Sequence, residues 1–164
     1  PLFLTSLPFY AIAWILVKFD DDGNLFFTQE RIGKNNKIIK ILKFRSMTEG
    51  EEKSVTKVGS VLRKTRIDEL PQLWNVLLGD MSLVGPRPNL FNQEELIQER
   101  DSRGVYQVVP GITGLSQINK IDMSTPQLLA ETDAKMTRQL TVVQYFYYII
   151  ATVLGKGSGD RMVK

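Results

Sequence analysis

The chain has 164 residues, 43% of them hydrophobic and 24% charged, with no histidine and no cysteine. That length suits one domain with a sizeable core, and 12 Gly and 7 Pro exclude a collagenous or disordered chain. The two absent residue types exclude Ser-His-Asp and Cys-His catalysis, Cys/His zinc sites, disulfides and an imidazole pH switch. Chemistry is left to carboxylates, Lys and Arg, hydroxyls, Tyr, backbone groups, or an oxygen-bound metal such as Mg²⁺.

Charge is unevenly placed beneath a net +3 and an isoelectric point near 9.2. Residues 1–17, PLFLTSLPFYAIAWILV, carry none, whereas Arg31, Lys34, Lys37, Lys40, Lys43 and Arg45 follow one another with no acidic residue between them. An apolar segment followed by a basic stretch points to a membrane surface, with anionic headgroups or phosphates beside it. Nucleic acid attracts the same charge, but the aromatic–basic interleaving of a stacking platform is missing, and no nucleic-acid partner is expected. With Pro1 inside the apolar run and no initiator Met, the chain is expected to continue upstream. Three shapes fit the segment: a truncated spanning helix, a Pro-broken helix that enters and leaves one membrane face, and a buried soluble helix. Pro8 removes a helical hydrogen bond and bends the axis, which favours the re-entrant shape.

Asp20-Asp21-Asp22-Gly23-Asn24 is a turn cluster. Two β-prone runs, LFFTQERIG and IIKILKF, flank Lys34-Asn35-Asn36-Lys37 and predict a hairpin. Residues 48–58 are polar and expected as a mobile loop. Leu70, Leu73, Trp74 and Leu77 recur at helical spacing and predict one helix from about 69 to 78, ending near Gly79. Residues 80–90 are expected as loop, 92–102 as a polar helix, and Pro110–Gly114 as a turn into a short LSQI strand. Thr125-Pro126 starts a further helix. The run from about 142 to 154, VVQYFYYIIATVL, is a helix apolar nearly all round, hence core or a second membrane-contacting surface. The fold class is therefore α/β: a helix-rich single domain with a small β-hairpin and an N-terminal re-entrant membrane helix.

Asp68-Glu69 is the focal pair. Read locally, Asp68 is a helix N-cap and Glu69 compensates the helix dipole. Its surroundings support a sharper reading: Arg63, Lys64 and Arg66 precede it, and Arg87 follows in a Gly-Pro loop. Cations and free helix N–H groups keep an aspartate ionised and attract phosphate, and adjacent carboxylates suit a hard divalent cation. Gly85-Pro86-Arg87-Pro88 is either a rigid surface turn or a phosphate clamp whose guanidinium is fixed by two φ-locked prolines. Lys43-Phe44-Arg45 is either an exposed β-edge or part of the same anion site. Gly155-Lys156-Gly157-Ser158 lacks phosphate-loop spacing.

KFRSM (43–47), IDELPQLWNVLLGDMSLVGPRP (67–88) and PGITGLSQIN (110–119), with FFTQERIGKN (26–35) upstream, occur in an order that closely resembles the bacterial sugar transferases, the monotopic phosphoglycosyl transferases. The resemblance runs from about residue 8 to about 150. It implies an enzyme of the bacterial inner membrane, active on the cytoplasmic face and held by a re-entrant helix broken at Pro8. The divisions it implies are residues 1–18 as membrane-associated helix, 19–154 as catalytic domain and 155–164 as a flexible basic tail. The implied reaction moves a sugar-1-phosphate from a UDP-sugar to polyprenyl phosphate and releases UMP. Asp68 would be the nucleophile that carries a covalent phosphosugar, and Glu69 would bind Mg²⁺. Arg63 and Arg87 would contact phosphate, with Lys43, Arg45 and Gln117 as further substrate-binding candidates. The compact form is similar to relatives that use N-acetylated amino sugars, with hexoses the alternative. The family's Ser-Pro serine is Leu7 here, and its GWAQVNGR is GLSQINKI, with Leu115 for Trp and Ile121 for the terminal Arg.

Overall fold

The computed structural model describes residues 24–48 and 54–157, together with Pro8, Tyr10, Ala11 and Trp14. Strands β1 (Phe26–Ile32) and β2 (Ile38–Phe44) form the expected antiparallel hairpin, in register from Phe26↔Phe44 to Ile32↔Ile38. Its turn works because Asn35 (φ 56°) and Asn36 (φ 58°) accept left-handed backbone, which asparagine tolerates better than most residues. The hairpin divides the basic run. Lys34, Lys37 and Lys40 stay exposed, while Arg31 and Lys43 are carried toward the protein interior.

Helix α1 (Lys57–Thr65) was not foreseen, and it overturns the loop expected up to residue 58. Thr56 caps it by accepting from the Gly59 amide at 2.9 Å. Its Leu62 packs with Phe44, and Tyr10, Leu25, Val58, Ile67 and Leu70 close around that pair. Arg66, left-handed at φ 58°, ends the helix and starts a 3₁₀ turn at Ile67–Glu69. The helix expected from 69 to 78 is thereby shortened to α2 (Gln72–Leu78), with Pro71 at its N-cap. Asp68 is consequently not an N-cap but a member of the turn between two helices. Gly79 (φ 83°) ends α2 as expected.

The stretch from 80 to 90 contains a short strand, β3 (Ser82–Val84), parallel to β4 (Gly111–Thr113). The segment expected as an LSQI strand is instead helix α4 (Leu115–Ile118), following α3 (Glu94–Ser102). Packing explains the difference. Leu115 and Ile118, three apart, both join the cluster of Val84, Met136 and Tyr148, whereas a strand would put Leu115 and Gln117 on one face. Helices α5 (Pro126–Gln139) and α6 (Val142–Val153) follow, the first with Pro126 in its first turn and the second with a Thr141–Gln144 capping box. A third cluster, Leu96, Leu129 and Ala130, joins α3 to α5. The protein is helix-rich, with two small two-stranded sheets among the described residues.

Pro8, Tyr10, Ala11 and Trp14 are helical. Tyr10 docks this segment on the domain by donating to the Leu70 carbonyl at 2.7 Å and packing edge-on against Phe44. Leu7 and Phe9 lie outside the described residues, and so does the re-entrant shape. No helix among the described residues is long and apolar enough to cross a membrane. Of the expected tail, Gly155–Gly157 close α6, with Gly157 buried, and 158–164 lie outside the described residues.

Gly59 fixes α1 against the end of the hairpin, since a Cβ there would lie 2.1 Å from the Ser46 carbonyl oxygen. Gly59→Ala is expected to cost about 2 kcal/mol or more through forced separation of the two segments. Urea unfolding reads this as a lower midpoint at unchanged slope. A wild-type midpoint would refute the close approach.

Candidate active site

The turn Ile67–Glu69 carries both carboxylates inward, leaving Asp68 and Glu69 each 7% exposed. Glu69 is gripped by cations from three elements. Its Oε1 accepts from Lys43 of β2 at 3.0 Å and from Arg87 at 2.7 Å, and its Oε2 lies 4.0 Å from Arg66. The Asp68 carboxylate accepts no hydrogen bond from any described residue. Neighbouring carboxyls are thus placed in opposite electrostatic settings. Burial alone would raise Glu69, but Arg87, Lys43 and Arg66 outweigh it and hold the carboxylate well below the usual range. Burial and then the Glu69 charge push Asp68 up to about 6, against the pull of Lys43, Arg63 and Arg87. A pair with such divided titration can split roles, one group held permanently ionised and the other poised near neutrality.

The remaining candidates assemble around this pair to different degrees. Arg63 donates from Nε to Ser46 Oγ at 2.8 Å and acts on Asp68 through space. Lys43 and Arg87 meet at Glu69. Phe44 and Arg45 are buried, so the segment is not an exposed edge. It is β-hairpin core at Phe44 because that ring seats Leu62 and Tyr10. Arg45 contributes its amide to the Leu25 carbonyl at 2.9 Å. Gln117 is held by its Nε2 donating to Gly85 O at 3.2 Å, and its buried Oε1 has no hydrogen-bond partner among the described residues. Arg31, Lys43, Arg66, Arg87, Ser116 and Gln117 line one cavity of about 680 Å³. Asp68 lines neither this cavity nor the apolar groove of about 400 Å³ that Glu69 borders. Leu115 turns into the core, whereas Ile121 borders the large cavity.

Sequence reasoning missed Arg100, and it named Arg31 and Arg66 only as members of basic runs, not as site residues. Arg100 is 1% exposed and donates to the Arg87 carbonyl at 2.8 Å, to Asn89 Oδ1 at 2.9 Å and to Asp133 at 2.6 Å. Ser116 donates to the other Asp133 oxygen at 2.6 Å, and Tyr106 donates to Asn89 Oδ1 at 2.9 Å. This buried network anchors the Pro86-Arg87-Pro88 backbone, and with its side chain on Glu69 Arg87 is held in place and is not a solvated turn residue. The signal that could have found Arg100 is its i,i+4 spacing from Leu96, which puts both on the buried face of α3.

A buried carboxylate pair ringed by Lys and Arg beside a basic cavity defines a protein that handles anionic groups. Residues 1–156 match the bacterial sugar transferase family, and the chain belongs to it; it is a transferase enzyme. It is 36% identical to exopolysaccharide production protein PSS of Rhizobium leguminosarum bv. phaseoli, across 89% of this chain and 78% of that protein. It is 40% identical to UDP-N-acetylgalactosamine-undecaprenyl-phosphate N-acetylgalactosaminephosphotransferase of Aeromonas hydrophila, across 68% of this chain and 29% of that protein. It is 46% identical to UDP-glucose:undecaprenyl-phosphate glucose-1-phosphate transferase of Klebsiella pneumoniae, across 68% of this chain and 27% of that protein.

Proposed function

We propose that this protein is a phosphoglycosyl transferase that moves a sugar-1-phosphate from a UDP-sugar to a polyprenyl phosphate such as undecaprenyl phosphate, releasing UMP. The observation that carries the reading is the buried Asp68–Glu69 pair enclosed by Lys43, Arg63, Arg66 and Arg87. Names of two relatives carry the same donor and acceptor types, and exopolysaccharide production is named for a third.

In this mechanism the ionised Asp68 oxygen attacks the β-phosphorus of the donor. The bond from that phosphorus to the oxygen bridging it to the α-phosphate breaks, and UMP leaves with the bonding pair. The acceptor phosphate oxygen then attacks the same phosphorus, forms polyprenyl diphosphate sugar and returns Asp68 as carboxylate. Arg87 and Lys43 offset the charge of the transferring phosphoryl group, and Arg63 helps hold Asp68 ionised. Arg31 and Gln117, which line the basic cavity, complete the donor-facing surface, and Arg45 stands buried behind it. The site acts at the cytoplasmic face of the bacterial inner membrane, where both a nucleotide sugar and a lipid phosphate are within reach.

Mg²⁺ fits the chemistry of the donor set in a substrate-shared form. Among the described residues no group of three or more acidic or other metal-binding side chains occurs, but adjacent carboxylates can share a hard cation with substrate phosphates. Glu69, with Asp68 beside it, would hold the ion, and its charge would add to that of the arginines at the pyrophosphate.

Incubation with a panel of UDP-sugars, Mg²⁺ and undecaprenyl phosphate is expected to release UMP for at least one sugar. EDTA should stop the release and added Mg²⁺ should restore it. No UMP from any common UDP-hexose or N-acetylated amino sugar would reject the reading, and full activity in EDTA would reject the metal.

A further inference from the structure

Besides the basic cavity, the fold encloses an apolar groove of about 400 Å³ walled by Leu70, Leu73, Leu83, Ile112, Ile149 and Val153. Glu69 and Arg66 stand at its border, and Arg66 lines the basic cavity too. The Arg66 guanidinium is only partly used. Its Nη2 donates to the Gly157 carbonyl, whereas the buried Nη1, 4.0 Å from Glu69 Oε2, has no hydrogen-bond partner among the described residues. A buried donor left unpaired is costly, and an anion placed beside it relieves that cost. The two helices that wall the groove also expose Trp74, Leu77 and Leu78 on α2, and Ile150 and Val153 on α6, with Leu154 at its C-cap. Exposed apolar area of this kind marks a surface that meets lipid or another apolar partner.

An apolar trough with a spare cationic donor at one end matches a molecule with a hydrocarbon chain and a single anionic head. Water in such a trough finds few polar partners, and a hydrocarbon chain displaces it favourably. We infer that this groove takes the isoprenoid chain of the acceptor and that Arg66 binds its phosphate. The inference rests on the transferase reading and adds to it where the second substrate lies: in the apolar groove that Glu69 and Arg66 border, with the donor in the basic cavity lined by Lys43, Arg87 and Gln117. The charge favours a lipid phosphate over a neutral lipid, since the head meets Arg66 beside a carboxylate already neutralised by Lys43 and Arg87.

Two measurements test it on the full chain in detergent. A benzophenone-bearing polyprenyl phosphate, photolysed with the protein, is expected to label peptides containing Leu70, Leu73 or Ile149. Unlabelled undecaprenyl phosphate should compete with it, and phosphatidylglycerol should not. Labelling confined to other peptides, or equal competition by phosphatidylglycerol, overturns the site. In steady-state assays, Leu73→Trp and Ile149→Trp fill the groove and should raise the acceptor KM about tenfold or more, with the donor KM moving less than about twofold. Arg66→Asn, which suits the φ of 58°, should also raise the acceptor KM, and Arg66→Lys should recover part of it. Acceptor KM values within about twofold of wild type in all these variants overturn the proposal. A dimer dissolved by Leu73→Trp would also overturn it, by naming a second copy as the occupant. If wild type releases no UMP at all, the transferase reading fails, and the photolabelling still decides what the groove binds.

Discussion

Asp68→Asn is expected to lower turnover by roughly 10⁴-fold or more, the scale set by removing a covalent nucleophile, and at the same time to make the protein more stable. The two effects have one cause. Burial and the Glu69 charge raise Asp68 from 3.8 to about 6, so near pH 7 the folded protein holds a carboxylate in a setting that disfavours its charge. Two units correspond to about 3 kcal/mol, and removing the charge should return roughly 1–3 kcal/mol. The sign is set by proton uptake. Between pH 4 and 6 the folded state binds more protons at Asp68 than the unfolded state, so this group's contribution falls as pH rises through that window and is at its worst above it. The stability gain of Asp68→Asn should therefore be near zero at about pH 4 and full above about pH 6.5. Wild-type UMP release should fall about tenfold per pH unit below about 6, as the nucleophile protonates. Thermal melts of both proteins at acid and neutral pH, with UMP release in parallel, check it. Equal melting temperatures at neutral pH would refute the raised Asp68 pKa, and UMP release by the variant would remove Asp68 from the nucleophile's place.

Glu69 lies at the opposite extreme. Its carboxyl is depressed by Arg87, Lys43 and Arg66 against its own burial, and its ionised form persists through any working pH. One turn of 3₁₀ backbone thus holds a destabilised carboxylate beside a stabilised one. The stabilised member offsets the charge of Lys43, Arg66 and Arg87, and this allows so many cations to stand around Asp68.

How much of this could be read from the chain depends on the range of the interactions. The hairpin was legible because its signal is local: β-prone runs around Gly33, Asn35 and Asn36. The end of α2 at Gly79 and the start of α5 at Pro126 were legible for the same reason. Asp68, Glu69 and Arg87 stood out because they occupy short motifs of a recognisable family. The parallel pairing of Ser82–Val84 with Gly111–Thr113 was not legible, since three-residue strands carry little periodicity and their partners are distant in sequence. LSQI was misread because four residues with two apolar ends fit a strand or a helical turn equally well. Only the common destination of Leu115 and Ile118 decides between them. The break at Arg66 was hidden too, because nothing in the residue type announces a left-handed arginine between two helices.

The Arg100–Asp133 pair makes the last large prediction, and its two halves should respond differently to pH. Both side chains are essentially inaccessible to water, and removing either leaves a buried charge without its partner, at a cost of about 3–5 kcal/mol near neutral pH. Burial raises Asp133, and Arg100 and Ser116 restrain the rise. In Arg100→Met the main restraint is gone, and the carboxyl can take up a proton as pH falls. Its penalty should therefore shrink from pH 8 to pH 5.5, since stability is lost as pH rises through a raised carboxyl pKa. In Asp133→Asn the stranded group is a guanidinium, which does not deprotonate, and the penalty should hold across the same range. Urea midpoints at the two pH values separate these outcomes, and parallel pH trends in both variants would refute the pair as a charged unit. Because Arg100 also binds the Arg87 carbonyl, Arg100→Met should release the Pro86-Arg87-Pro88 backbone and raise the donor KM even where the protein remains folded. The position of Arg87 beside Glu69 is thereby tied to a residue buried behind it.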